Sequence, residues 1–163
     1  MNKDPAWLVE ARSHIGVTEV KGFAHNPVIV GFWKAARLAG IKNDEVPWCA
    51  GFVGAMLENA GVRSARSDSA RAYLNWGVKL SVPVVGSIVV LGRDGGGHVG
   101  FVVGRDPRTG GIGVLGGNQS DAVNIRTFPV DRVLGYRWPE AWGGSFADYS
   151  LPTVEAAKSV TEA

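Results

Sequence analysis

The chain changes its hydrophobic period half-way along, and that change fixes its fold class. Up to about Trp76, apolar residues recur at spacings of three and four; beyond it they come in short β-branched or aromatic runs. Asp4-Pro5 reads as the cap and first residue of a helix over 5–15, with Trp7, Leu8, Ala11 and Ile15 on one face. Asn26-Pro27 opens a second helix by the same logic, and Gly40 is its natural stop. Pro47 forces a third helix to begin near Trp48 or Cys49; it runs to Asn59, ends at Gly61 and turns Phe52, Val53, Met56 and Leu57 inward. Ser67 or Asp68 caps a short fourth helix through Trp76. Strands are then expected at 84–91, 99–104, 112–115, 123–128 and 133–138, separated by Gly, Pro and Asn/Asp clusters. Helices first and strands second imply an α+β fold, with N-terminal helices packed on a C-terminal antiparallel sheet.

A length of 163 residues is that of one ordinary domain. Residues 1–144 are read as that domain. Residues 145–163, small and polar, are read as a flexible tail with a short helix near 154–160. The 45% hydrophobic and 20% charged fractions are those of a soluble globular protein. A net charge of +2 with no Lys/Arg block gives nucleic acid binding only weak support. No apolar run approaches the ~18–20 residues of a membrane span, and Met1 to Pro5 lack the apolar core of a signal peptide. Synthesis in a cytoplasm and a monomeric state are the expectations.

Cys49 is the only cysteine, so it can form no intrachain disulfide. An unpaired cysteine is usually a small buried hydrophobe. Its place at a helix start argues otherwise: the dipole and the open N–H groups there favour thiolate and lower its pKa. His98 stands between glycines at a strand start, in Gly97-His98-Val99-Gly100, and shares a face with Gly100 and Val102. Taken alone it reads as a surface histidine. Asn118, in Gly116-Gly117-Asn118, ends the next strand, and a hairpin over 104–111 brings it near His98. Taken alone it reads as a turn residue. Together the three supply a thiol nucleophile, its base and a group that orients the base. Trp48 is a candidate groove wall, against the alternative of core. Glu45, with Asp44, is a candidate for the substrate groove, against a solvated loop. No spacing fits a zinc motif, a P-loop or a dinucleotide fingerprint, and no metal or organic cofactor is expected.

The stretches Val46-Pro47-Trp48-Cys49-Ala50-Gly51-Phe52-Val53, Gly97-His98-Val99-Gly100-Phe101-Val102 and Gly116-Gly117-Asn118-Gln119 resemble the CHAP-type (cysteine, histidine-dependent amidohydrolase/peptidase) cell-wall hydrolases. Gly16-Val17-Thr18-Glu19 followed by Asn26-Pro27 resembles a phage and prophage subgroup of them. The resemblance spans roughly Trp7 to Trp138. It implies a papain-like α+β fold and hydrolysis of amide bonds in bacterial peptidoglycan. It implies Cys49 as nucleophile, His98 as base and Asn118 at the orienting position, with Gln119 as the alternative there, as a polar groove residue. It also implies an endolysin carried to the periplasmic wall by a holin-like partner, or an injected antibacterial effector with an immunity partner. The rival readings are a non-catalytic wall- or virion-associated binding module and a cysteine hydrolase acting on some other amide.

Overall fold

The computed structural model describes residues 4–20, 25–38, 40, 47–93, 96–142, 151–154 and 156–157. Three α-helices come first: α1 (Ala6–Arg12), α2 (Pro27–Ala35) and α3 (Cys49–Asn59). Helix α2 starts as its sequence dictates, with Pro27 in the first turn and the Asn26 side chain accepting the Val28 N–H at 2.9 Å. It stops well before Gly40. Arg37 turns left-handed at φ 68°, and the N–H groups of Arg37 and Leu38 fold back onto the carbonyls of Lys34 and Trp33. The same closure ends α3, where Gly61 takes φ 80° and Val62 N–H returns to Leu57 O. Helix α1 ends at Arg12, short of Ile15, whose N–H bonds only in a following turn.

Helix α3 is the centre of the fold. Cys49 to Leu57 are all buried, so the helix is covered all round, where the sequence pattern gives it one inward stripe. Two glycines allow this. A Cβ on Gly51 would stand 2.8 Å from the Trp33 ring, and one on Gly54 would stand 2.8 Å from Ala36 Cβ. Helix α2 therefore lies directly against the α3 backbone.

The expected fourth helix is a 3₁₀ helix, Ala70–Asn75. A strand that the sequence did not suggest follows at once, β1 (Val78–Leu80). It is short and half-exposed, too slight to carry an alternating signal. Next come β2 (Ile88–Arg93), β3 (Gly96–Asp106), β4 (Gly111–Gly116), β5 (Asn124–Phe128) and β6 (Val133–Trp138). They form one antiparallel sheet in the order β1-β6-β2-β3-β4-β5. The fold is thus α+β, helices before sheet. Ile88, Val90, Val99, Phe101 and Leu115 face the helices. Val89, Leu91, Val102, Ile112, Val114 and Phe128 form a second apolar cluster. Phe128 of β5 reaches across β4 to stack on His98 of β3 at 5.5 Å, so the sheet curls around that second cluster.

Part of the expected tail, 151–154 and 156–157, lies among the described residues. Val154, Ala156 and Ala157 are not helical. Pro152 and Val154 bond to both backbone groups of Arg105, and Ala157 O accepts the Thr127 N–H. Gly113 leaves room for this segment, since a Cβ there would meet Val154 Cγ2 at 2.4 Å. The remaining residues of 145–163 lie outside the described residues. No helix among the described residues is long and apolar enough to cross a membrane.

Glu58 ties the end of α3 to the chain that follows. It accepts from Ser64 N (3.0 Å), Ser64 Oγ (2.9 Å) and Arg66 Nε (3.0 Å). Burial alone would raise its pKa; the Arg66 guanidinium and the Ser64 donors prevail and hold it down at about 2, against an ordinary 4.5. A depressed carboxyl stabilises the fold in full above its unfolded pKa and loses that contribution as pH falls toward its folded one. Glu58→Gln is expected to cost about 2 kcal/mol in urea unfolding at pH 7. Its gap to wild type is expected to narrow by pH 3, whereas a constant gap would assign the loss to packing.

Candidate active site

Pro47 cannot continue a helix backward, and α3 begins two residues later with Cys49 in its first turn. The first intrahelical bond runs from Phe52 N to Trp48 O, so the N–H groups of Cys49, Ala50 and Gly51 have no acceptor within the helix. Trp48 caps the helix without a side-chain bond, and its indole N–H donates to Glu19 Oε1 at 2.7 Å. Its side chain is fully buried among Phe32, Phe52 and Gly117, so the groove-wall assignment is corrected: Trp48 belongs to the core.

The sulfur of Cys49 sits where a strand ends. The Val102 N–H bonds to Ser87 O, so His98 and Gly100 also turn their backbone groups toward β2, and Val99 and Phe101 turn theirs toward β4. Pairing of β4 with β3 begins at Phe101↔Leu115. One step further out β4 has gone, and the Val99 N–H comes near enough to the Cys49 sulfur to favour its thiolate. The thiol is 6% exposed. Burial pushes its pKa up, and this outweighs the Val99 and Ala50 N–H groups and the charge of Arg93, which pull it down. The expectation of a lowered thiol pKa is therefore reversed in the resting protein.

His98, the neighbour of Val99, is fully buried. Its Nε2 lies 2.9 Å from Gln119 Oε1. The amide of Gln119 cannot be turned the other way, because its Nε2 donates to Asn124 O (2.9 Å), Asn124 Oδ1 (3.0 Å) and Val114 O (3.2 Å). Its oxygen can only accept, so the imidazole proton resides on Nε2 and the lone pair on Nδ1. Asn124 closes the network by donating from Nδ2 to Gln119 O at 2.8 Å.

Two glycines make the arrangement possible. A Cβ on Gly116 would stand 2.5 Å from Gln119 Oε1 and 3.2 Å from His98 Nε2. A Cβ on Gly117 would stand 2.6 Å from the Trp48 ring and 2.7 Å from Phe52 Cβ. Gly116 thus admits the amide to the imidazole, and Gly117 admits the start of α3 to the sheet.

The sequence reading put Asn118 at the orienting position, with Gln119 as the alternative there, as a polar groove residue. The amide on the imidazole is that of Gln119. Asn118 is buried, with φ 60°, at the start of a loop in which Ser120 and Asp121 are also left-handed. Gln119 is buried as well, so it lines no open groove in this state. Glu45 and Asp44 lie outside the described residues. Asn124, which the sequence reading did not name, is distinguished in sequence only by opening the strand after the Gly-Gly-Asn-Gln turn. Among the described residues no group of three His, Cys, Asp or Glu side chains is placed to hold a metal ion.

A family model described as CHAP domain matches residues 41–118, a span that contains Cys49 and His98 and ends on Asn118. No curated protein and no solved structure gives a significant match to the chain.

Alkylation of Cys49 by iodoacetamide is expected to rise with pH to a midpoint above that of a free cysteine, measured by intact mass. A midpoint below it would show that thiolate is the resting form.

Proposed function

We propose that the chain is a cysteine-dependent amidase or endopeptidase of bacterial peptidoglycan. One observation carries the reading: the sulfur at the start of α3 lies close enough to the Val99 N–H to be influenced by it, and the residue before Val99 is a histidine whose Nε2 is held by the Gln119 amide. The match to the CHAP domain model over 41–118 supports the same chemistry and is consistent with peptidoglycan as substrate.

The steps follow from the proton inventory. Cys49 attacks the carbonyl carbon of a stem or cross-link amide, and its proton passes to the lone pair on His98 Nδ1. The N–H groups at the start of α3 stabilise the oxyanion. The imidazolium gives its proton to the departing amine, leaving a thioester on the sulfur. His98 then takes a proton from water, the hydroxide attacks the thioester, and the thiol is restored as the acid product leaves. Gln119 keeps Nε2 protonated throughout, so Nδ1 remains the base. A neutral thiol at rest suits this order, because the charge appears only as the proton moves.

The motifs around Gly16–Glu19 and Asn26-Pro27 support a phage or prophage lytic role, with the enzyme reaching the periplasmic wall through a partner such as a holin. Loss of turbidity in a suspension of sacculi tests the activity, and mass spectrometry of the new termini identifies the bond cut. Cys49→Ala is expected to leave the thermal midpoint within a few degrees of wild type and to lower lysis by about 10³-fold or more. Gln119→Leu is expected to lower kcat by about 10–100-fold with little change in KM, since it touches His98 and no substrate. Wild-type lysis by Cys49→Ala would falsify the mechanism.

A further inference from the structure

Gly16-Val17-Thr18-Glu19 and Asn26-Pro27, apart in sequence, join in the structure. Asn26 Nδ2 donates to Thr18 O at 2.7 Å, while Asn26 Oδ1 caps α2. The first stretch runs along the loop that follows Gln119. Gly16 N–H donates to Val123 O (3.0 Å), Val123 N–H to Val17 O (2.8 Å) and Glu19 N–H to Asp121 O (2.9 Å). Ala122, bridged to Thr18, gives its carbonyl to the Gln119 N–H at 3.0 Å. The main chain at Glu19 therefore holds the loop whose Gln119 amide holds His98 Nε2.

The side chain of Glu19 goes the other way, to the helix that carries Cys49. Its Oε1 accepts the Trp48 indole N–H at 2.7 Å. Trp48 is the cap of α3, and the bond from Phe52 N–H to Trp48 O is the first of the helix. A cap residue usually anchors a helix with a side-chain oxygen on the N–H groups of the first turn. Trp48 has no such oxygen and makes no such bond, so the N–H groups of Cys49, Ala50 and Gly51 are not taken up by a cap side chain. The helix start needs another anchor, and the indole supplies it. The ring packs on Phe32 of α2 and on the backbone at Gly117, where a Cβ would stand 2.6 Å from it. Its one polar atom is held by Glu19. Asn26 fastens the Glu19 segment to α2, which lies against α3 at Gly51 and Gly54.

We propose that Glu19 is a positioning residue of the catalytic centre: through the Trp48 indole it holds the start of α3 against the loop that orients His98. This rests on the reading of Cys49 as nucleophile and His98 as base. Glu19 acts on both from a distance, with its carboxylate on the residue before Cys49 and its N–H on the loop after Gln119. An indole bonded to a carboxylate makes a charge-assisted hydrogen bond, stronger than one to a neutral acceptor. An anchor of this kind opposes the small slips of the helix that separate nucleophile from base.

Two rates read this role, lysis of sacculi and alkylation of Cys49 by iodoacetamide at pH 7, both measured well below the thermal midpoint of each variant. Glu19→Ala is expected to lower lysis by about 10–100-fold. Its Cys49 is expected to be alkylated several times faster than in wild type, because a loosened helix start uncovers the sulfur. A brace that served stability alone would leave both rates unchanged at that temperature, and that result overturns the proposal. Glu19→Gln keeps an acceptor oxygen at the same reach, and its lysis is expected within about 5-fold of wild type. Lysis by Glu19→Gln as poor as that by Glu19→Ala overturns the role of the acceptor. Trp48→Phe removes the donor and keeps an aromatic ring. In the double variant Glu19→Ala is expected to add little to the effect of Trp48→Phe on either rate, since the two share one hydrogen bond. Effects that multiply independently overturn the route through the indole. Failure of the wild type to lyse sacculi overturns the wall reading, and the alkylation rates still decide the positioning role by themselves.

Discussion

The approach of the Val99 N–H to the Cys49 sulfur, which favours the thiolate, is the feature on which the rest of the molecule depends. It exists because β4 is shorter than β3. Once the chain leaves the sheet at Gly116-Gly117, a backbone donor on β3 has no strand partner, and the start of α3 fills the gap. A longer β4 would satisfy that donor and exclude the helix. The close approach of α2 to Gly51 and Gly54 then fixes the position of α3 from behind. Sheet register, helix start and nucleophile are in this way one feature. The donor at Val99 also ties the sulfur to the neighbour of His98, so any slip of the helix moves nucleophile and base apart.

The loop after β4 is costly by itself. Asn118, Ser120 and Asp121 are all left-handed, each at roughly 1 kcal/mol for a non-glycine residue. What holds it is the network that also serves the imidazole. Gln119 N–H bonds to Ala122 O, and the Asn124 amide grips Gln119 O. The segment after α1 adds to this, through Glu19 N–H to Asp121 O and the bridge from Thr18 to Ala122. Glu19 then turns its side chain to the Trp48 indole. One short segment near the N-terminus thus braces both the loop behind His98 and the cap of the helix that carries Cys49.

Much of this was legible in the sequence. The start of α3 followed from Pro47, its end from Gly61, and the faces of β3 from simple alternation around His98 and Val99. The limits were physical. The early end of α2 required a left-handed arginine, which no propensity signals. The covering of α3 on every side depended on a second helix fitting onto two glycines, a tertiary fact. Gln119 and Asn118 are adjacent amides in a turn, and which one reaches the imidazole is decided by the run of left-handed residues, not by their chemistry. The thiol pKa was read from the local dipole alone, and burial by residues distant in the chain reversed its direction. Trp48 was ambiguous for a similar reason: only its three-dimensional neighbours distinguish a groove wall from core.

The proton on His98 tests the account most directly. Nitrogen-detected NMR of the ring at neutral pH, assigned by comparison with His98→Gln, reports which nitrogen carries it. The account predicts a protonated Nε2 and an Nδ1 with its lone pair toward the chemistry, a pattern shifted when Gln119 is replaced by leucine. A ring protonated on Nδ1 instead, or one indifferent to Gln119, would contradict it.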